Sequence, residues 1–218
     1  MYQYILFDLD GTLTDPKEGI TRCVQYALHH FGIEEPDLDR LVPFIGPPMK
    51  DSFMRFYGMD SEQADEAVVY YRERFADQGI FENAVLEGIP EMLRLLQDQG
   101  KHLAVASSKP EPYVIRILER FALASYFEQV IGSEMSGERS RKAEVIQEAF
   151  RRFGIGTDQK DSVLMVGDRM HDIAGAAECG ISSLGVRCGY AAEGELEQAG
   201  ATYIADSVQD MREFLLMH

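Results

Sequence analysis

The sequence predicts an α/β protein: a mostly parallel sheet covered by helices, with an all-helical insert. Three observations carry this. Short apolar runs alternate with helical patterns along most of the chain, as strands joined by helical crossovers do. Residues 15–83 break the alternation and hold only helical patterns. Several apolar runs end in acids, hydroxyls or lysines, and open parallel sheets bind ligands outside the carboxyl ends of their strands.

The first strand is the apolar run Tyr4-Ile5-Leu6-Phe7. The helical insert follows. Asp15 is expected to cap its first helix, with Pro16 at the first helical position and Glu18 completing a capping box. Ile20, Val24, Ala27, Leu28 and Phe31 form the apolar face, and Gly32 ends the helix. A second helical stretch runs from Leu38 to Tyr57, interrupted at Gly46-Pro47-Pro48. A third starts near Asp60-Ser61, with Gln63 in the capping-box position. The core then resumes with an amphipathic helix that carries Ile89, Met92, Leu93 and Leu96 on one face and stops at Gly100. Further strands are expected at Leu103–Ala106, Val130–Ile131, Val163–Val166, Ser183–Val186 and Thr202–Ile204. The domain division is therefore a core of residues 1–14 and 84–218 and an insert of residues 15–83, with hinges near Asp15–Pro16 and Asn83–Glu87.

Composition excludes several function classes. The 218 residues are 45% hydrophobic, enough for a sizeable core, and the net charge is −16. A duplex-binding protein needs a basic face, so no nucleic-acid partner is expected. Three cysteines, Cys23, Cys179 and Cys188, lack metal-site spacing and fit a reducing cytosol rather than a disulfide framework. Met1-Tyr2-Gln3-Tyr4 has no basic region followed by an apolar one, and no apolar run reaches membrane-spanning length. A cytoplasmic protein, monomeric or weakly dimeric, is the expectation, with no membrane partner.

The strand ends hold the chemistry. Asp8 and Asp10 close the first strand, and alternate strand residues point the same way, so both carboxylates can face one small volume. Two such charges repel unless a cation or a shared proton neutralises them. The next core strand ends in Ser107-Ser108-Lys109-Pro110, and a later one in Gly167-Asp168-Arg169-Met170-His171-Asp172. Lys142 lies near the start of a helical pattern that runs to Phe153. Carboxylate oxygens are the donors that Mg²⁺ takes. With a metal held by Asp8 and Asp168, Asp8 can attack phosphorus and Asp10 can serve as general acid and then base. Ser107, with Ser108 beside it, can hydrogen-bond a phosphate oxygen, and Lys142 can screen phosphate from Asp8.

In this order and spacing, DxDGT at residues 8–12, Ser107, Lys142 and GDRxxD at 167–172 resemble the haloacid dehalogenase-like hydrolase superfamily. The resemblance implies a Rossmann-like three-layer core, Mg²⁺, an aspartyl-phosphate intermediate and a helical cap of the four-helix-bundle type inserted after the first motif. It makes Asp8 the nucleophile and a metal ligand. Asp10 gives its backbone carbonyl to the metal, Asp168 is a ligand, and Asp172 is either a ligand or a partner of the lysine. Asp10 argues against carbon-attacking dehalogenases and phosphonatases, which lack that acid. Ile20 and Met49 stand where β-phosphoglucomutases carry His and Arg, which lowers that reading.

The layout resembles the phosphoglycolate phosphatase-like group: a phosphatase of a small phosphate monoester. A 5'-nucleotidase acting on nucleoside monophosphates is the alternative, and a non-catalytic binding protein the reading from another class. Lys50 and Arg22 are the cationic candidates for reading an anionic leaving group.

Overall fold

The computed structural model describes all 218 residues. The chain divides into two compact units, Met1–Thr14 with Val85–His218, and Asp15–Ala84. The strands are β1 (Tyr4–Phe7), β2 (Thr14–Asp15), β3 (Ala84–Val85), β4 (His102–Pro110), β5 (Gln129–Ser133), β6 (Val163–Gly167), β7 (Ser182–Val186) and β8 (Tyr203–Ala205). The α-helices are α1 (Lys17–His30), α2 (Met49–Tyr57), α3 (Ser61–Asp77), α4 (Ile89–Asp98), α5 (Glu111–Arg120), α6 (Lys142–Phe153), α7 (Met170–Cys179), α8 (Glu195–Gln198) and α9 (Val208–Met217).

In the larger unit, six strands form one sheet in the order β5-β4-β1-β6-β7-β8, parallel at every pair. Both faces of a parallel sheet are covered, which is why its strands read as continuous apolar runs. Ile5, Leu6 and Phe7 are all fully buried at the sheet centre. Leu6, Ala104, Met165 and Val163 share one core cluster with Val145, Ile146 and Ala149 of α6 and Ala176 of α7. Successive residues face opposite sides, so Ile5 and Phe7 point to the other face. The central strands β1, β4 and β6 thus deliver their carboxyl ends side by side.

β4 differs from its expected extent. It runs on through Ser107, Ser108 and Lys109 to Pro110, with a register irregularity against β5 between Ala106 and Pro110. A bulge of this kind re-aims the side chains it contains.

The smaller unit is helical. α1 packs on α3, and α2 on α3. The place of a fourth helix is taken by a 3-10 helix, Leu38–Phe44. Pro43 lies inside it, where a missing N–H blocks the α-helical ladder. The break at Gly46-Pro47-Pro48 precedes α2. Asp60 and Gln63 form the expected capping box on α3. The one expected on α1 does not form. That helix starts one residue later, with Pro16 at its N-cap position and no side-chain cap bond from it. Asp15 Oδ1 instead accepts from the Lys17 N–H at 3.0 Å, while Glu18 pairs with Arg22. Gly19 lets α1 approach the following turn closely: a Cβ there would lie 2.1 Å from the Gly79 carbonyl oxygen. The two-residue strands β2 and β3, too short for any periodic signal, pair with each other as a separate ladder.

Candidate active site

The site grows out of the end of β1. The Asp8 N–H donates to Val166 O at 2.8 Å, which continues the pairing with β6 one residue past the strand. Fully buried Leu9 then anchors a tight turn, its carbonyl accepting from the Leu13 and Thr14 amides at 2.9 and 3.0 Å. Gly11 adopts φ +81°, and a Cβ at this position would come within 2.2 Å of Asp168 Oδ2. The turn therefore brings the backbone against the carboxylate that ends β6, an approach only glycine permits.

Asp8, Asp168 and Asp172 form one buried cluster, each offering a carboxylate oxygen within 4.8 Å of the others. Asp168 is fixed by the Tyr190 N–H, 2.7 Å from its Oδ2, and by the Thr12 hydroxyl, 3.4 Å from its Oδ1. Asp172 Oδ2 accepts from the Arg169 N–H at 3.0 Å. Lys142, the first residue of α6, reaches in from the side. Its Nζ lies 2.7 Å from Asp172 Oδ1 and 3.0 Å from Asp8 Oδ1, and donates to Ala106 O at 2.9 Å. Arg141, the neighbouring cation, turns outward to Glu178.

Burial pushes Asp168 well above the usual carboxylate range, and Asp172 and Asp8 add to this by repulsion. Burial also raises Asp172 to about 6, against the pull of Lys142. Lys142 loses solvation too, but Asp172 and Asp8 outweigh this and hold its ammonium above the ordinary value. With Lys142 charged and all three carboxylates ionised, two negative charges are left to neutralise, and the raised carboxyls reflect that cost. Asp8 Oδ1 and Asp172 Oδ1 face Lys142 at ion-pair distance, yet neither receives a directed hydrogen bond. Hard oxygen donors gathered in one buried volume, with acids in excess of cations, fit a divalent cation such as Mg²⁺.

Asp10 sits apart from this cluster. Both its oxygens face Lys109 Nζ, at 2.6 and 2.9 Å, with both side chains below 10% exposure. Burial raises the Asp10 carboxyl, partly offset by Lys109. Ser107 is buried, and its Oγ accepts from the Lys109 N–H at 3.3 Å; Ser108 is half-buried. The sequence motifs contain Lys109 and Thr12 without giving them a part, and nothing in them points to the Tyr190 amide. Lys50 and Arg22 belong to the helical unit, where each is already ion-paired, Lys50 with Asp65 at 2.7 Å and Arg22 with Glu18 at 3.0 Å.

The profile of the haloacid dehalogenase-like hydrolases matches residues 5–186, a span holding every acid of the cluster. The chain belongs to this family. Among relatives of this haloacid dehalogenase-like hydrolase, a 5'-nucleotidase of Pseudomonas aeruginosa is 46% identical over 217 residues, covering 100% of this chain and 97% of the relative. The tyrosine-protein kinase PtkA of Mycobacterium tuberculosis is 36% identical over 215 residues, covering 98% of this chain and 72% of the relative. A crystal structure of a predicted phosphatase from Clostridium acetobutylicum, 45% identical, superposes with a TM-score of 0.96 over the whole of both chains.

Proposed function

We propose that this haloacid dehalogenase-like hydrolase is a Mg²⁺-dependent phosphatase that hydrolyses a small phosphate monoester through an aspartyl-phosphate on Asp8. The observation that carries the reading is the buried cluster of Asp8, Asp168 and Asp172 around Lys142, two negative charges in excess. Asp8, Asp168 and the Asp10 carbonyl are the proposed ligands, with Asp172 placed to tie Lys142 to them. Bound there, Mg²⁺ supplies charge neutralisation for an incoming phosphate.

The chain's own groups divide the work. Asp8 attacks phosphorus as the bond to the leaving oxygen breaks, and Asp10 gives that oxygen its proton. Water then attacks the phosphorus of the aspartyl-phosphate, and Asp10 takes the water's proton. The bond from phosphorus to Asp8 breaks, which frees inorganic phosphate and restores the carboxylate. Lys142 keeps Asp8 and the phosphate from repelling each other. Ser107 and Ser108 are placed to donate to phosphate oxygens.

The helical unit takes the part of a cap that selects the leaving group, and Lys50 and Arg22 are its cationic candidates. A relative named 5'-nucleotidase that matches over all of this chain and 97% of its own length reverses the order of the two substrate readings and favours nucleoside 5'-monophosphates over phosphoglycolate. The test is phosphate release by the purified protein with Mg²⁺ from a panel of nucleoside monophosphates, phosphoglycolate and other small esters. Turnover of nucleotides above the rest is expected. Activity confined to phosphoglycolate contradicts the substrate, and no release from any ester contradicts the reaction.

A further inference from the structure

Lys109, its side chain 7% exposed, is a cation beside Asp10 to which the proposed mechanism gives no part. Three observations set its position. Its Nζ meets both oxygens of Asp10, at 2.6 and 2.9 Å. It stands on the stretch of β4 where the register against β5 shifts. Its N–H donates to Ser107 Oγ at 3.3 Å, which ties its backbone to a residue at the same strand end. Bulges recur beside active sites because they turn a side chain out of the regular alternation. Here the side chain of Lys109, inside the irregular stretch, reaches Asp10.

A carboxylate has about four lone-pair positions, two on each oxygen. An ammonium that spans both oxygens occupies the positions on one side and leaves those on the other side open. It also removes the rotation that an unpaired carboxylate retains. We infer that Lys109 is a positioning residue for Asp10: it grips one side of the carboxylate and keeps the other side turned to the leaving-group oxygen and, later, to water. The inference rests on the phosphatase reading and adds to it a residue that acts through Asp10 rather than on the substrate.

A residue that acts through the proton donor matters most when the leaving oxygen needs a proton. A nucleoside 5'-monophosphate leaves as a basic alkoxide, whereas 4-nitrophenyl phosphate leaves as a stable phenolate. The experiment compares kcat/KM for both esters in wild type, Lys109→Met, Lys109→Arg, Asp10→Asn and Asp10→Asn/Lys109→Met. This ratio reports the steps up to aspartyl-phosphate formation, so slow hydrolysis of the intermediate does not mask the difference. The expected result is that Lys109→Met loses roughly tenfold to a hundredfold more with the nucleotide than with the aryl ester. Lys109→Arg recovers part of this, and the double variant is no slower than Asp10→Asn.

Equal loss with the two esters, or additive loss in the double variant, overturns the inference and makes Lys109 a phosphate-binding cation. Removing one partner of a buried pair can itself unfold a protein. If Lys109→Met does not fold, the comparison of Asp10→Asn with the double variant, which lacks both charges, decides. Failure of wild type on both esters refutes the phosphatase reading; a loss blind to the leaving group refutes only the role of Lys109.

Discussion

In the proposed reaction Asp8 attacks an anion, and two further buried carboxylates offer oxygens within 4.8 Å of its own. Lys142 removes one of the three charges, and the proposed metal removes the rest. The proposal therefore makes Asp8 replaceable for folding but not for turnover. Asp8→Asn keeps the shape of the side chain and removes one negative charge from an over-charged cluster. We predict a loss of at least about a thousandfold in phosphate release, with a melting temperature equal to or above that of wild type. Near-normal turnover of an aryl phosphate by this variant would show that another group attacks. At this scale the sequence was largely legible. Asp8, Asp10, Asp168 and Asp172 stand in short motifs at the ends of apolar runs, and Lys142 starts a clear helical pattern. Lys109 was not, because its meeting with Asp10 depends on a register shift in β4 that no residue pattern announces. The Tyr190 amide was not, because a loop returns to Asp168 from 22 residues further on.

Elements follow the same division. Buried parallel strands are continuous apolar runs, so β1, β6 and β7 could be placed almost to the residue. The ladder β2–β3 has two residues a side and offers no periodicity to read. Leu38–Phe44 carries a helical pattern but winds as a 3-10 helix, since Pro43 interrupts the α-helical hydrogen bonds. The start of α1 was placed one residue early because a side-chain bond from Asp15 to the Lys17 amide imitates a cap. Gly19 supplies a test of element packing. Its added Cβ would meet the Gly79 carbonyl oxygen at 2.1 Å and the Glu82 carbonyl oxygen at 2.8 Å, both backbone atoms. We predict that Gly19→Ala forces α1 off the turn at 79–82 and destabilises the helical unit by about 1–3 kcal/mol. Urea unfolding of the variant measures this; an unchanged midpoint would mean the two segments are not so closely packed in solution.

On the scale of the molecule, the proposed metal site ties pH to stability. No helix is long and apolar enough to cross a membrane, and the three cysteines are free thiols. Beside the net charge of −16, the chain carries a buried excess of acids at the site. Asp172 is raised from 3.8 to about 6, first by burial and then by Asp8, and Asp168 is raised as well. A carboxyl with a folded value above its unfolded one binds more protons in the folded state between the two. Its contribution is complete below the unfolded value and is lost as pH rises through the folded value. Without metal, Asp172 therefore costs most stability above about pH 6, and Asp168 acts in the same direction. A bound divalent cation takes the place of the missing protons. We predict that the rise in melting temperature on adding Mg²⁺ grows from pH 5 to pH 7.5, and that chelation reverses it. A rise independent of pH would mean the cation binds elsewhere.

The central claim is that phosphate passes through Asp8. Rapid quenching of a single turnover, followed by peptide mass mapping, tests it directly. The account predicts one transient phosphoryl group on the peptide carrying Asp8, present in wild type and missing from Asp8→Asn. Release of phosphate at the full rate with no phosphorylated peptide, or with the phosphoryl group on another residue, would contradict it.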